Sequence, residues 1–285
     1  MARSLSKVET EGAPGRTARR RGNASLTLGM GLVGLVGLAA LVSLVWLPAD
    51  PNAGDLLARL KPPGGGHPLG TDAFGRDLLA RVMVGARSAL AVGLVAVGVG
   101  LGLGLPLGLL AGFYGGALDR TLTLLLDAVY VFPTLLLVML LVTAWGAGLL
   151  PAMLAVGVSA VPVFARLARS GAVSVRAEPY VEAAQALGAR PARVLGRHVL
   201  PNILTPLIVQ ASFTLGAAIL IEGALSYLGL GIQPPQASWG NMLREAQSFL
   251  YLSAYPTLVP GVAIMLAVLG FNLLGDGLRG REGGP

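Results

Sequence analysis

Five long stretches of this chain contain no Asp, Glu, Lys or Arg: Gly22–Ala49, Ser88–Leu118, Ala128–Ala165, His198–Ile221 and Ala246–Gly275. A helix crosses the hydrocarbon of a bilayer in about 20 apolar residues. Each run is therefore long enough for one span. At about 1.5 Å per residue the third run is too long for one. Trp145-Gly146-Ala147-Gly148 and Pro151 interrupt it with a turn signal and an interfacial aromatic. Extended back to Arg120, this run holds two helices. The reading is an all-α membrane protein with six transmembrane helices, near 26–47, 88–112, 120–144, 149–168, 203–228 and 255–275. Pro133, Pro162 and Pro206 are expected to bend their spans.

Charge fixes the orientation. Only 12% of the residues are charged, where a soluble domain carries roughly 25%. The net charge is +7. With the N-terminus inside, 15 of the Lys and Arg residues fall in inside segments and 6 in outside ones. That asymmetry gives an N-in, C-in topology. It also accounts for the basic balance without nucleic acid. The apolar run after Arg19-Arg20-Arg21 exceeds the h-region of a secretory signal and is read as a retained span. The expected organisation is a basic cytoplasmic tail (1–25, with 1–22 disordered), a first helix (26–47), an extracytoplasmic segment (48–87), a five-helix core (88–276) with a cytoplasmic loop (166–202), and a short tail (277–285). Within 48–87, residues 71–87 alternate arginines with apolar residues and suggest an amphipathic helix on the outer surface.

Catalytic and metal chemistry have no foothold. The chain has no Cys, so thiolate metal sites and Cys nucleophiles are excluded. Its only lysines are Lys7 and Lys61, neither in a phosphate-binding loop. Its only histidines, His67 and His198, fall on opposite sides of the membrane and cannot share a metal ion. His67 is read as a loop hydrogen-bonder. If the chain does work, another subunit supplies the energy.

The inside loop carries the most information. Pro179 suits a first helical position. Gly188 suits the residue after a helix end. Pro191 can start a second short helix, and Pro201 precedes the next span. Ala183 and Ala184 would admit a partner closely, and Glu182 and the arginines offer charged contacts. A docking surface and a plain solvated loop both fit these residues.

Glu182-Ala183-Ala184, then Gly188, then Pro201 resembles the EAA loop of ABC importer permeases. His198 stands where the general pattern has an apolar residue. Further segments are similar to the second-permease (C-type) subunit of dipeptide, oligopeptide and nickel importers: His67-Pro-Leu-Gly70-Thr71-Asp72, Gly75-Arg76-Asp77, Leu225-Ser226-Tyr227-Leu228-Gly229, Ser238-Trp239-Gly240 and Gly270-Phe271-Asn272. The resemblance runs from about residue 26 to 279. It implies a type I ABC importer permease fold. It also implies coupling to an ATPase through Tyr180, Glu182, Ala183, Ala184, Leu187, Gly188 and Arg190. The partners it implies are a homologous B-type permease, two cytoplasmic ATPases that use ATP and Mg, an extracytoplasmic solute-binding protein and the bilayer of a bacterial or archaeal cell membrane. No cofactor is expected on this chain.

Four further features keep two readings each. Gly100, Gly104, Gly108 and Gly112 form a stripe for close helix approach or for general packing. Asp127 is read as half of a structural ion pair, with Arg120 or an arginine of 165–202. Glu222, with Ser226, either lines the translocation path or hydrogen-bonds a neighbouring helix. Trp239 and Tyr251 cap the path or anchor the interface. The rival to the ATP-driven reading is a stand-alone ion-gradient-driven transporter or channel. It calls for more ionisable residues within spans and for symmetry between halves. A membrane-tethered regulator using 165–202 to bind DNA is weaker still, because spans pin that loop at both ends.

Overall fold

The computed structural model describes residues 14–282, with side chains described for 23–280. The expected tail therefore lies partly outside the described residues. From Pro14 onward the chain is helix rather than disordered tail, because α1 spans Pro14–Val45. The other helices are α2 (Leu78–Tyr114), α3 (Gly116–Val131), α4 (Thr134–Trp145), α5 (Leu149–Arg176), α6 (Pro179–Ala186), α7 (Pro191–Val194), α8 (Leu200–Tyr227), α9 (Trp239–Ala246) and α10 (Tyr255–Glu282). No strand occurs among the described residues, only two isolated bridges in the outer segment.

Five helical segments are long and apolar enough to span a membrane: 23–45, 78–114, 149–176, 191–227 and 255–280. The sixth expected span, 120–144, is not continuous. It divides into α3 and α4, which meet at 90°. Pro133 has no N–H to donate and pushes Phe132 into an extended conformation, with ψ of 132°. The same residue type is absorbed within α2 at Pro106, α5 at Pro162 and α8 at Pro206.

The expected surface helix at 71–87 is also corrected. Residues 71–77 form a loop, and 78–87 are the outer end of α2. Asp77 caps that helix by accepting from the Ala80 N–H at 2.8 Å. Arg81 within it does not face headgroups, being 1% exposed.

Small residues set the two closest helix seams. Gly100, Gly104, Gly108 and Gly112 all face α5. A Cβ on Gly104 would stand 2.5 Å from the Val161 carbonyl oxygen, and one on Gly112 would stand 2.5 Å from that of Arg169. The stripe is thus an intrachain seam. On α1, Gly29 plays the same part against α10, where an added Cβ would lie 2.5 Å from the Leu274 nitrogen. Between these pairs, α8 packs on α2, α5 and α10. Val92, Ala96, Val138, Val142, Ala218 and Leu225 close the core on its α4 side.

Charge ties the outer segment to α9. Arg76 Nε donates to Asp72 at 2.6 Å, and its Nη2 donates to Glu245. Arg81 donates to Glu245 at 3.3 Å and to the Pro51 carbonyl at 3.2 Å. His67 lies 2.9 Å from the carboxylate of Asp77, as a loop hydrogen-bonder should. Trp239 is neither a cap over open space nor an interface anchor. It is 2% exposed, donates to the Val82 carbonyl at 3.0 Å and packs on Gly85.

Candidate functional site

The loop between α5 and α8 is built as its sequence implies. Pro179 opens α6 and Pro191 opens α7. Between them Gly188 has φ of +83°, a left-handed conformation that reverses the chain and that other residues adopt with strain. A π-helical turn, Leu195–Val199, joins α7 to α8. Two details differ from expectation. α5 runs on to Arg176, so the first third of the loop is span extension. Pro201 lies inside the first turn of α8 rather than ahead of it.

One face of this unit is rooted in the protein. Val181, Val194 and Val199 are each 0% exposed and join Phe113 of α2, Phe164, Ala168 and Ala172 of α5, and Ile203 and Leu207 of α8. Arg176 fastens the base by donating to the Phe113 carbonyl at 2.6 Å. His198 takes the place of an apolar residue by packing its ring at a tilt against Tyr180, with ring centroids 5.8 Å apart. Asn202 donates to the Tyr180 hydroxyl at 3.2 Å and to the His198 carbonyl at 2.6 Å.

The other face is open. Leu187 is 89% exposed and Tyr180 47%. Glu182, Ala183, Gly188 and Arg190 are exposed, and Ala184 is half-buried. Ala184, Leu187, Gly188, Ala189, Arg193, Arg197 and His198 line a concavity of about 440 Å³. Its floor is small and apolar, and its rim is basic. All seven coupling residues read from the sequence thus fall on one short structure. The basic rim formed by Arg193 and Arg197 was not singled out, although their spacing from α7 into the next turn places both on its open side.

The acids of the helices lie elsewhere. Asp127 is half of an ion pair, with Arg166 at 2.7 Å. A second pair, Asp119 with Arg169, was not foreseen. It bridges the same α3–α5 seam, with Nη2 at 2.6 Å from the carboxylate. Glu222 and Ser226 do not line an open path in this chain. They are 1% and 0% exposed. Ser226 donates to Glu222 at 2.7 Å and accepts from the Ile232 N–H at 3.0 Å. Gly231 and Gly240 allow the following loop and α9 to close over them. The carboxyl is enclosed because that loop folds back onto α8, a contact that helical periodicity does not reveal. Among the described residues, no cluster of three or more His, Cys, Asp or Glu could hold a metal ion.

Comparison with known proteins places this architecture. Residues 104–281 match the family described as "Binding-protein-dependent transport system inner membrane component". The chain is 44% identical over 221 residues to the dipeptide transport system permease protein DppC of Alkalihalophilus pseudofirmus, covering 78% of this chain and 73% of that protein. It is 43% identical over 235 residues to the probable D,D-dipeptide transport system permease protein DdpC of Escherichia coli, covering 82% and 79%. It is 41% identical over 217 residues to the glutathione transport system permease protein GsiD of Pectobacterium atrosepticum, covering 76% and 72%. In fold it is similar to a chain of the MetNI methionine ABC transporter in an inward-facing conformation, with a TM-score of 0.57 and 23% identity over 70% of this chain and 93% of that one. The resemblance drawn from the sequence therefore holds, for the fold and for the C-type branch. The chain is a multi-pass membrane protein that belongs to the family of binding-protein-dependent transport system inner membrane components.

Proposed function

We propose that this chain is one of two permease subunits in an ATP-driven importer of short peptides, and that α6, Gly188 and α7 form its socket contact with an ATPase. One observation carries the reading. Leu187 and Tyr180 are exposed apolar side chains beside a concavity with a basic rim, on a unit anchored by three fully buried valines. Such a patch outside the membrane calls for a protein partner.

The partners follow from the same reading. A homologous permease completes the path. Two cytoplasmic ATPases bind and hydrolyse ATP with Mg, so this chain needs no cofactor. An extracytoplasmic binding protein delivers the solute, and the complex sits in a bacterial or archaeal cell membrane. When the ATPases close, they push on α6 and α7. Val181, Val194 and Val199 pass that displacement to α2, α5 and α8. The glycine seam makes α2 and α5 move together.

Uptake and ATP hydrolysis in proteoliposomes holding the complete complex test this. Gly188→Asp puts a side chain on a left-handed residue, and Ala184→Trp fills the concavity. Both are expected to abolish ATP-driven uptake while the chain still inserts and assembles with its partner permease. Normal uptake by both variants refutes the docking role.

A further inference from the structure

The third span is broken at Pro133, where α3 and α4 meet at 90°. α3 has 16 residues and α4 has 12. At about 1.5 Å per residue they reach about 24 and 18 Å, each short of the roughly 30 Å of hydrocarbon. Neither half can cross alone. As two halves of one crossing, they place Phe132 and Pro133 between the two membrane faces. There α3 ends in extended backbone, and α4 begins with no side-chain cap. The last carbonyls of α3 and the first N–H groups of α4 therefore have no helical partners. Residues 130–136 are all exposed. Open backbone at this depth is tolerated only where it meets protein or water.

A second observation points the same way. The Asp127–Arg166 pair lies beside the break, with 46% and 42% of its side-chain surfaces open. Its guanidinium stacks 3.7 Å over the ring of Tyr130. An ion pair that open keeps most of its donors and lone pairs free, which hydrocarbon would penalise strongly. A dry protein contact would need to satisfy every one of them. Water does so at no cost.

We propose that the break, with Asp127, Arg166 and Tyr130, is a hydrated station on the wall of the translocation path, where the charged ends of a zwitterionic solute make contact. The proposal rests on the transport reading above. The station presents both signs of charge, so an ammonium end can meet Asp127 while a carboxylate end meets Arg166. The pair re-forms when the solute leaves.

The absence of Cys makes the test direct. Single cysteines are placed at Tyr130 and, in case that change disturbs insertion, at Leu124, exposed on α3 within one turn of Asp127. A third is placed at Leu35 on the outside of α1. The complete complex in inside-out vesicles is treated with charged, membrane-impermeant methanethiosulfonates. Tyr130→Cys and Leu124→Cys are expected to react about tenfold or more faster than Leu35→Cys. Adding Asp127→Asn is expected to favour the anionic reagent at these sites, and Arg166→Gln the cationic one. Rates as slow as that of Leu35→Cys, as from burial against lipid or the second permease, overturn the proposal. Rates indifferent to both charge changes overturn the contact with charged solutes. Trapping with ATP and vanadate is expected to slow the reaction. Fast labelling that ignores nucleotide would keep the hydrated wall but refute the ATP-driven reading beneath it.

Discussion

Gly104→Ala tests the close seam between α2 and α5. The new Cβ would lie 2.5 Å from the Val161 carbonyl oxygen, 3.0 Å from the Ala165 nitrogen and 3.0 Å from the Phe164 Cβ. Carbon-to-carbonyl contacts between helices normally sit at about 3.3–3.6 Å, so the seam must open by about 0.8–1.1 Å. No flexible side chain can yield, because the first two obstacles are backbone. Gly108 and Gly112 meet α5 as closely, so local tilting cannot relieve the clash. Overpacking of this kind costs about 1–3 kcal/mol. Gly98 and Gly102, on the same helix, have nothing within 4 Å of an added Cβ. Alanine there carries the same gain in helix propensity, about 1 kcal/mol at most, without the clash. Subtracting one variant from the other cancels that gain. Reversible unfolding in mixed micelles should place Gly104→Ala about 1–3 kcal/mol below Gly102→Ala. Equal stabilities would refute the claim that the stripe exists to admit α5.

Three further outcomes follow from the outer half. Arg81→Met removes a buried partner of Asp72 and Glu245 and should destabilise the chain by about 3 kcal/mol, read as faster proteolysis of the outer loops in right-side-out vesicles. Trp239→Ala empties the space against Gly85 and removes the indole hydrogen bond to the Val82 carbonyl, a loss of about 3–5 kcal/mol in the same unfolding assay. Glu222→Gln keeps an acceptor for Ser226 and should be nearly neutral, whereas Glu222→Leu leaves the Ser226 hydroxyl proton without an acceptor at about 1–3 kcal/mol. Both should leave the relative uptake rates of different peptides unchanged, and a shift in solute preference would restore Glu222 to the path.

What the sequence disclosed divides along physical lines. The apolar helices followed from apolar length, and the expected orientation from arginine placement, which are local properties. The helix–Gly188–helix unit was legible because Pro179, Gly188 and Pro191 have positional meaning of their own. The stripe from Gly100 to Gly112 announced a close approach, but not that α5 makes it, since spacing on one helix does not name its neighbour. Asp127 was read correctly as one side of an ion pair, with its arginine narrowed to a segment that includes Arg166. Misreadings arose where distant segments fold over a helix. Arg81 read as an interfacial arginine because the acid that buries it, Glu245, lies far along the chain. Glu222 kept a path-lining reading beside the hydrogen-bonding one because the loop through Gly231 and Gly240 encloses it from outside its own helix. Pro133 was expected to bend its span. The right angle it makes was hidden by the continuous apolar character on both sides.

Docking of an ATPase on α6 and α7 is the claim on which the rest depends. A single cysteine at Leu187, 89% exposed and more open than Tyr180, can be coupled to a short thiol-to-amine cross-linker in the assembled complex. The expected result is a covalent adduct with the ATPase subunit whose yield changes when ATP is trapped. A cysteine that reacts freely with soluble thiol reagents in the same intact complex, yet gives no adduct with or without nucleotide, would contradict it.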